Sequence, residues 1–154
     1  TAPEWAAPAG GGGKVLQVVS ASTTTSTTIS TSTYTDTTIT ATITPTLATS
    51  KILVIISASS QTNKTSSGAI IASKARVLRG ATSIFESNRY TVFEGATVTT
   101  LELGYQGGIT YLDSPATTSA TTYKMQAGVV TGAQIVFQNA GNNQSTITLL
   151  EIGV

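Results

Sequence analysis

Apolar side chains recur at every second position through most of this sequence, the spacing of a β-strand with one face in a core and the other in water. Residues 37–44 are the clearest case: Ile39, Ala41 and Ile43 fall on one face, Thr38, Thr40, Thr42 and Thr44 on the other, and Pro45 closes the run. Two segments depart from this. Residues 50–59 (SKILVIISAS) set Ile52, Val54 and Ile56 against Leu53 and Ile55, and residues 145–153 set Ile147 and Leu149 against Leu150 and Ile152. Apolar side chains on both faces predict central strands covered on two sides. For the last strand they also predict subunit contact through Ile147, Leu149, Leu150 and Ile152, which would bury an exposed edge. Further strands are expected at 14–21, 68–79, 98–104, 109–112, 121–128 and 133–138, and no stretch has helical spacing with caps. Short strands parted by Gly, Asn and Ser turns predict an all-β antiparallel sandwich of jelly-roll type over residues 14–154. Residues 1–13 (TAPEWAAPAGGGG) read as a flexible Pro/Ala/Gly arm, and a start without Met reads as a processed chain or a piece of a longer one.

A chain of 154 residues fits one domain with an ordinary core. Charged residues make up only 10%, against roughly 25% in an average soluble domain, so Thr, Ser, Asn and Gln must supply the polar surface. A net charge of +1 gives no field to gather nucleic acid or anionic lipid, and no apolar run is long enough for a membrane helix. Neutral glycans and other protein subunits are the partners that remain.

The chain has no Cys and no His, which removes disulfides, thiolate zinc sites and every Ser-His-Asp or Cys-His arrangement. The carboxylates are Glu4, Asp36, Glu86, Glu94, Glu102, Asp113 and Glu151. A glycosidase needs two of them across a cleft, with Glu102 and Asp113 the first to test. Solvation, turn capping or pairing with Lys51, Lys74, Arg76, Arg79 or Arg89 is the preferred reading, so an enzyme is not expected, and neither is a cofactor or a metal. Gly107 and Gly108 read as turn glycines, since no Lys-Ser/Thr pair follows to make a phosphate loop. The Thr-rich run 20–50 reads as filler for a solvated strand face; an ice-binding array would need stacked repeats of it, and there are none.

The binding candidates are polar and aromatic residues in expected loops on a rigid scaffold: Asn63, Arg89, Tyr90, Tyr105, Gln106, Asn142 and Asn143. Trp5 in the arm is a candidate anchor on a neighbouring subunit or a preceding stalk.

Several segments resemble the C-terminal domains of tail-fibre and related appendage proteins of marine bacteriophages. They are residues 2–5 leading through Gly12-Gly13-Lys14-Val15-Leu16-Gln17-Val18, residues 40–45 (TATITP) leading to 50–55 (SKILVI), Val77-Leu78-Arg79-Gly80, residues 111–124 (YLDSPATTSATTYK) and 145–152 (STITLLEI). The resemblance implies a β-rich, commonly trimeric part exposed on the virion, outside the cell, which binds a host surface receptor, glycan or protein. It carries no catalytic residue. A capsid decoration or head-fibre subunit, binding other virion proteins through the arm and Trp5, is the alternative within that class, and a polysaccharide depolymerase the alternative outside it.

Overall fold

The alternation seen in the sequence becomes alternation of burial along most of the ten strands found among the described residues. The structure is a computed structural model and describes residues 13–64, 70–94, 101–131, 133–138 and 143–153; Trp5 and Asn142 lie outside these. The strands are β1 (Lys14–Thr23), β2 (Thr27–Ile29), β3 (Thr35–Ile43), β4 (Lys51–Lys64), β5 (Ile70–Arg79), β6 (Thr82–Glu94), β7 (Glu102–Asp113), β8 (Thr121–Thr131), β9 (Ala133–Phe137) and β10 (Ser145–Gly153).

They form two antiparallel sheets. One has the order β1-β10-β4-β9-β2 with β7 on the other side of β4; the second has the order β3-β8-β5-β6. The 14-residue β4 explains the first order, because β10 pairs with its beginning and β9 with its end. If β1/β2 and β9/β10 are each counted as one interrupted strand, every connection except the β5–β6 hairpin passes from one sheet to the other, which is jelly-roll connectivity. The inner faces meet in a core that includes Ile39, Ile43, Ile52, Val54, Ile56, Tyr123, Met125, Phe137, Ile147 and Leu149.

The two lateral seams are closed by different chemistry. Between β6 and β7, Phe85 packs on Tyr111 and Tyr90 meets Tyr105 edge-on at a 5.4 Å centroid separation. On the opposite side, threonine hydroxyls bridge β1 to β3: Thr23 donates to Thr38 at 3.1 Å and Thr38 to the carbonyl of Thr25 at 3.2 Å. Thr40 likewise donates to the Tyr123 carbonyl. The Thr-rich run is therefore more than solvated filler, since several of its hydroxyls bind neighbouring strands.

Three expectations are corrected. The segments 98–104, of which residues 98–100 lie outside those described, and 109–112 are not parted by a glycine turn: Gly107 and Gly108 lie inside β7, paired with Ala58 and Ser57. A Cβ on Gly107 would run into the hydroxyl ends of Tyr90 and Tyr105, so glycine is what lets the aromatic seam close. Gly107→Ala is expected to cost about 1–3 kcal/mol by urea unfolding, with a loss of near-ultraviolet tyrosine dichroism. Residues 82–94 form a strand that was not expected, because its register against β5 shifts twice and these bulges break the alternation. Finally, β4 and β10 are central, but within one chain only their inner faces are covered. Ile147 and Leu149 are sealed in the chain's own core and cannot touch another subunit; Leu150 and Ile152 face outward.

Candidate binding face

The outward side chains of the larger sheet line up in rows, because the antiparallel register places them opposite one another. Val18, Leu150, Leu53 and Leu112 form one continuous row across β1, β10, β4 and β7. The next row is Ser20, Thr148, Ile55 and Thr110, and the one beyond it Ser22, Thr146, Ser57 and Gly108. On the other side of the leucine row stand Val15, Ile152 and Lys51. Val18 is 56% exposed, Val15 and Leu112 50% each, and Ile55 39%.

Toward the Lys64 end the same face changes character. The outward residues of β4 become Ser57, Ser59, Gln61 and Asn63, opposite Gly108, Gln106, Gly104 and Glu102 of β7. Gln106 donates to the Ser57 hydroxyl and Gln61 to the Asn63 side-chain carbonyl, each at 2.7 Å. A groove of about 290 Å³ opens here, lined by Ser59, Ser60, Gln61, Gly104, Tyr105, Gln106 and Asn143. Gly104 presents no side chain, which leaves backbone as part of its floor. Among the described residues, none of those outward-facing between the Lys51 and Glu102 positions is charged.

The outer face of the smaller sheet is the opposite in character. Lys74 and Arg76 flank the Tyr34 ring, each 4.3 Å from its centroid, and Arg76 binds Gln126. Asp36 accepts from Lys124 at 2.8 Å and from Gln126, and hydrogen bonds from these two, Lys124 first, hold its carboxyl below the usual range.

Of the expected binding residues the structure brings together Asn63 and Gln106, on the sheet face, with Asn143 in the loop before β10, whereas the Tyr105 ring turns inward to the seam. Tyr90 belongs to the lateral seam, where burial, and then Tyr105, raise its hydroxyl pKa far above the ordinary value. Arg89 is exposed on the bulged part of β6, at the edge of the other sheet. Ser57 and Ser59 were not singled out in the sequence, although the period-two pattern of β4 already aligned them with Gln61 and Asn63. Glu102 and Asp113 stand at opposite ends of β7, about 36 Å apart at the usual strand rise, far beyond the separation a glycosidase pair needs.

No protein-family model matches the chain, and no curated protein matches it. Among solved structures, one described as infectious bursal disease virus, Gx strain, is similar over 90% of this chain and 40% of its own, with a TM-score of 0.33 and 12% identity. A likeness that slight carries nothing about function.

Proposed function

We propose that this chain is a structural and adhesive module of a virion appendage that holds neutral glycan in the groove at the Lys64 end of its larger sheet. The resemblance of its strands and turns to phage appendage domains motivates the setting. The observation that carries the binding reading is the groove itself. Amides and hydroxyls of Ser59, Gln61, Gln106 and Asn143 converge on a surface without charge, anchored on the central strand of a rigid sheet. Sugar hydroxyls both donate and accept, as do primary amides and serine hydroxyls. The bare backbone at Gly104 leaves room for a flat pyranose ring between Gln61 and Gln106. A single shallow site of this kind binds weakly, and an appendage gains avidity by presenting several copies.

Because the groove is neutral, binding should be nearly independent of ionic strength. On a glycan array probed with the full chain, retention of a subset of neutral glycans is expected to change little between about 50 mM and about 500 mM salt. Gln61→Leu combined with Gln106→Leu should weaken it by more than about tenfold, since apolar side chains leave sugar hydroxyls unpaired. Retention of acidic glycans alone, with steep loss in salt, would contradict the reading.

A further inference from the structure

We propose that the apolar half of the same outer face, centred on the row Val18, Leu150, Leu53 and Leu112, packs against a second copy of this chain. This does not rest on the glycan reading, which concerns the other half of the face. Val15, Val18, Ile55 and Leu112 are four of the nine large hydrophobic residues that stand exposed among the described residues, and all four face outward from β1, β4 or β7 of this one sheet. Scattered exposed hydrophobics are ordinary; a contiguous patch marks an interaction surface.

Three observations favour another copy as the occupant. The first is charge. The outer face of the smaller sheet carries Asp36, Lys74, Arg76 and Lys124, whereas on this half of the larger sheet Lys51, at the margin, is alone in its charge among the described outward residues, so two such faces can meet with centres free of unpaired charge. The second is anatomy: apolar side chains form the centre, and Ser20, Thr148, Thr110 and Ser22 form a polar rim, the arrangement of stable protein interfaces. The third is size. Four strands at about 4.8 Å spacing and the seven residues from Lys51 to Ser57 at about 3.3 Å rise span roughly 440 Å² in projection, which side-chain relief raises toward the roughly 800 Å² per partner of a standard interface. Sheet faces of this kind pack about 10 Å apart.

Light scattering coupled to gel filtration, with the full chain at about 100 µM, tests this in the affinity range of a standard interface. The expected mass is a whole multiple, two or more, of the 15.7 kDa chain. Val18→Asp with Leu112→Asp should return it to one copy, weakening association at least about hundredfold, because each buried carboxylate would lack a partner. Val18→Ser with Leu112→Thr, which extends the neighbouring Ser/Thr row and keeps strand propensity, should weaken association while the far-ultraviolet dichroism stays that of the folded chain. A single-copy mass for the unsubstituted chain, or a multiple that survives both double substitutions, would overturn the proposal.

Discussion

Asp113→Ala is expected to destabilise the fold by about 4 kcal/mol, lowering the calorimetric melting temperature by roughly 8–16 °C. Asp113 ends β7 in the larger sheet, while its partners come from the smaller one. Arg79 of β5 donates to both carboxylate oxygens at 2.9 and 3.0 Å, and the buried Tyr123 hydroxyl of β8 donates at 2.7 Å. The carboxylate thus ties the two sheets together at the Lys51 end. Burial, and then the bond to Asp113, raise the Tyr123 pKa far above its ordinary value, so the hydroxyl is a fixed donor. Without Asp113 that donor is left in the core with no partner, and Arg79 keeps only the Ser114 carbonyl. Tyr123→Phe removes one donor and leaves the ion pair, so it should cost only about 1–2 kcal/mol. Equal losses for the two substitutions would show that Asp113 does not act as a staple.

Glu151→Ala should cost about 3 kcal/mol at neutral pH, and Glu151→Gln should flatten the acid limb of the stability curve. This carboxylate is fully buried on β10 and sits in a cage of donors. Thr46 gives its backbone N–H at 2.7 Å and its hydroxyl at 2.8 Å to one oxygen, and Gln17 gives its amide at 2.7 Å to the other. Burial works against the charge, but the hydrogen bonds, led by that from Gln17, prevail and bring the pKa down to about 2 from 4.5. A carboxyl with a depressed pKa in the folded state stabilises it fully above the unfolded value. That contribution fades as pH falls from about 4.5 toward about 2. In glutamine the oxygen can still accept from Thr46, but the amide then faces the Gln17 amide, donor against donor. Urea unfolding between pH 2 and pH 7 measures this; a wild-type curve that stays level across the window would contradict it.

Much of this fold was legible in the sequence. Ile39, Ala41 and Ile43 in β3, and Tyr123 and Met125 in β8, alternate as expected and fill the core. The doubly apolar patterns of β4 and β10 marked the two central strands of the larger sheet. What the pattern could not show was the source of the cover on their second faces, since periodicity records that a face is apolar and nothing about which chain buries it. The β6 strand was hidden because its bulges change the face on which each residue falls. Gly107 read as a turn because its reason for being glycine, the Tyr90–Tyr105 contact, comes from another strand. Asp113 and Glu151 looked like any other carboxylates, with partners that the fold brings from 34 and 105 positions away. Part of the candidate groove was named by residue type, through Asn63, Gln106 and Asn143. Its position was not, because register across β4 and β7 assembled it, and turn chemistry alone had suggested loops.

The most direct test of the outer sheet face as the working surface is amide chemical-shift mapping of the full chain with the neutral oligosaccharides that it retains on an array. Shifts confined to residues 57–63 of β4 and 104–108 of β7, with Lys74, Arg76 and Lys124 of the opposite face unmoved, are the predicted result. Shifts centred on that charged face, or none with any neutral oligosaccharide, would contradict it.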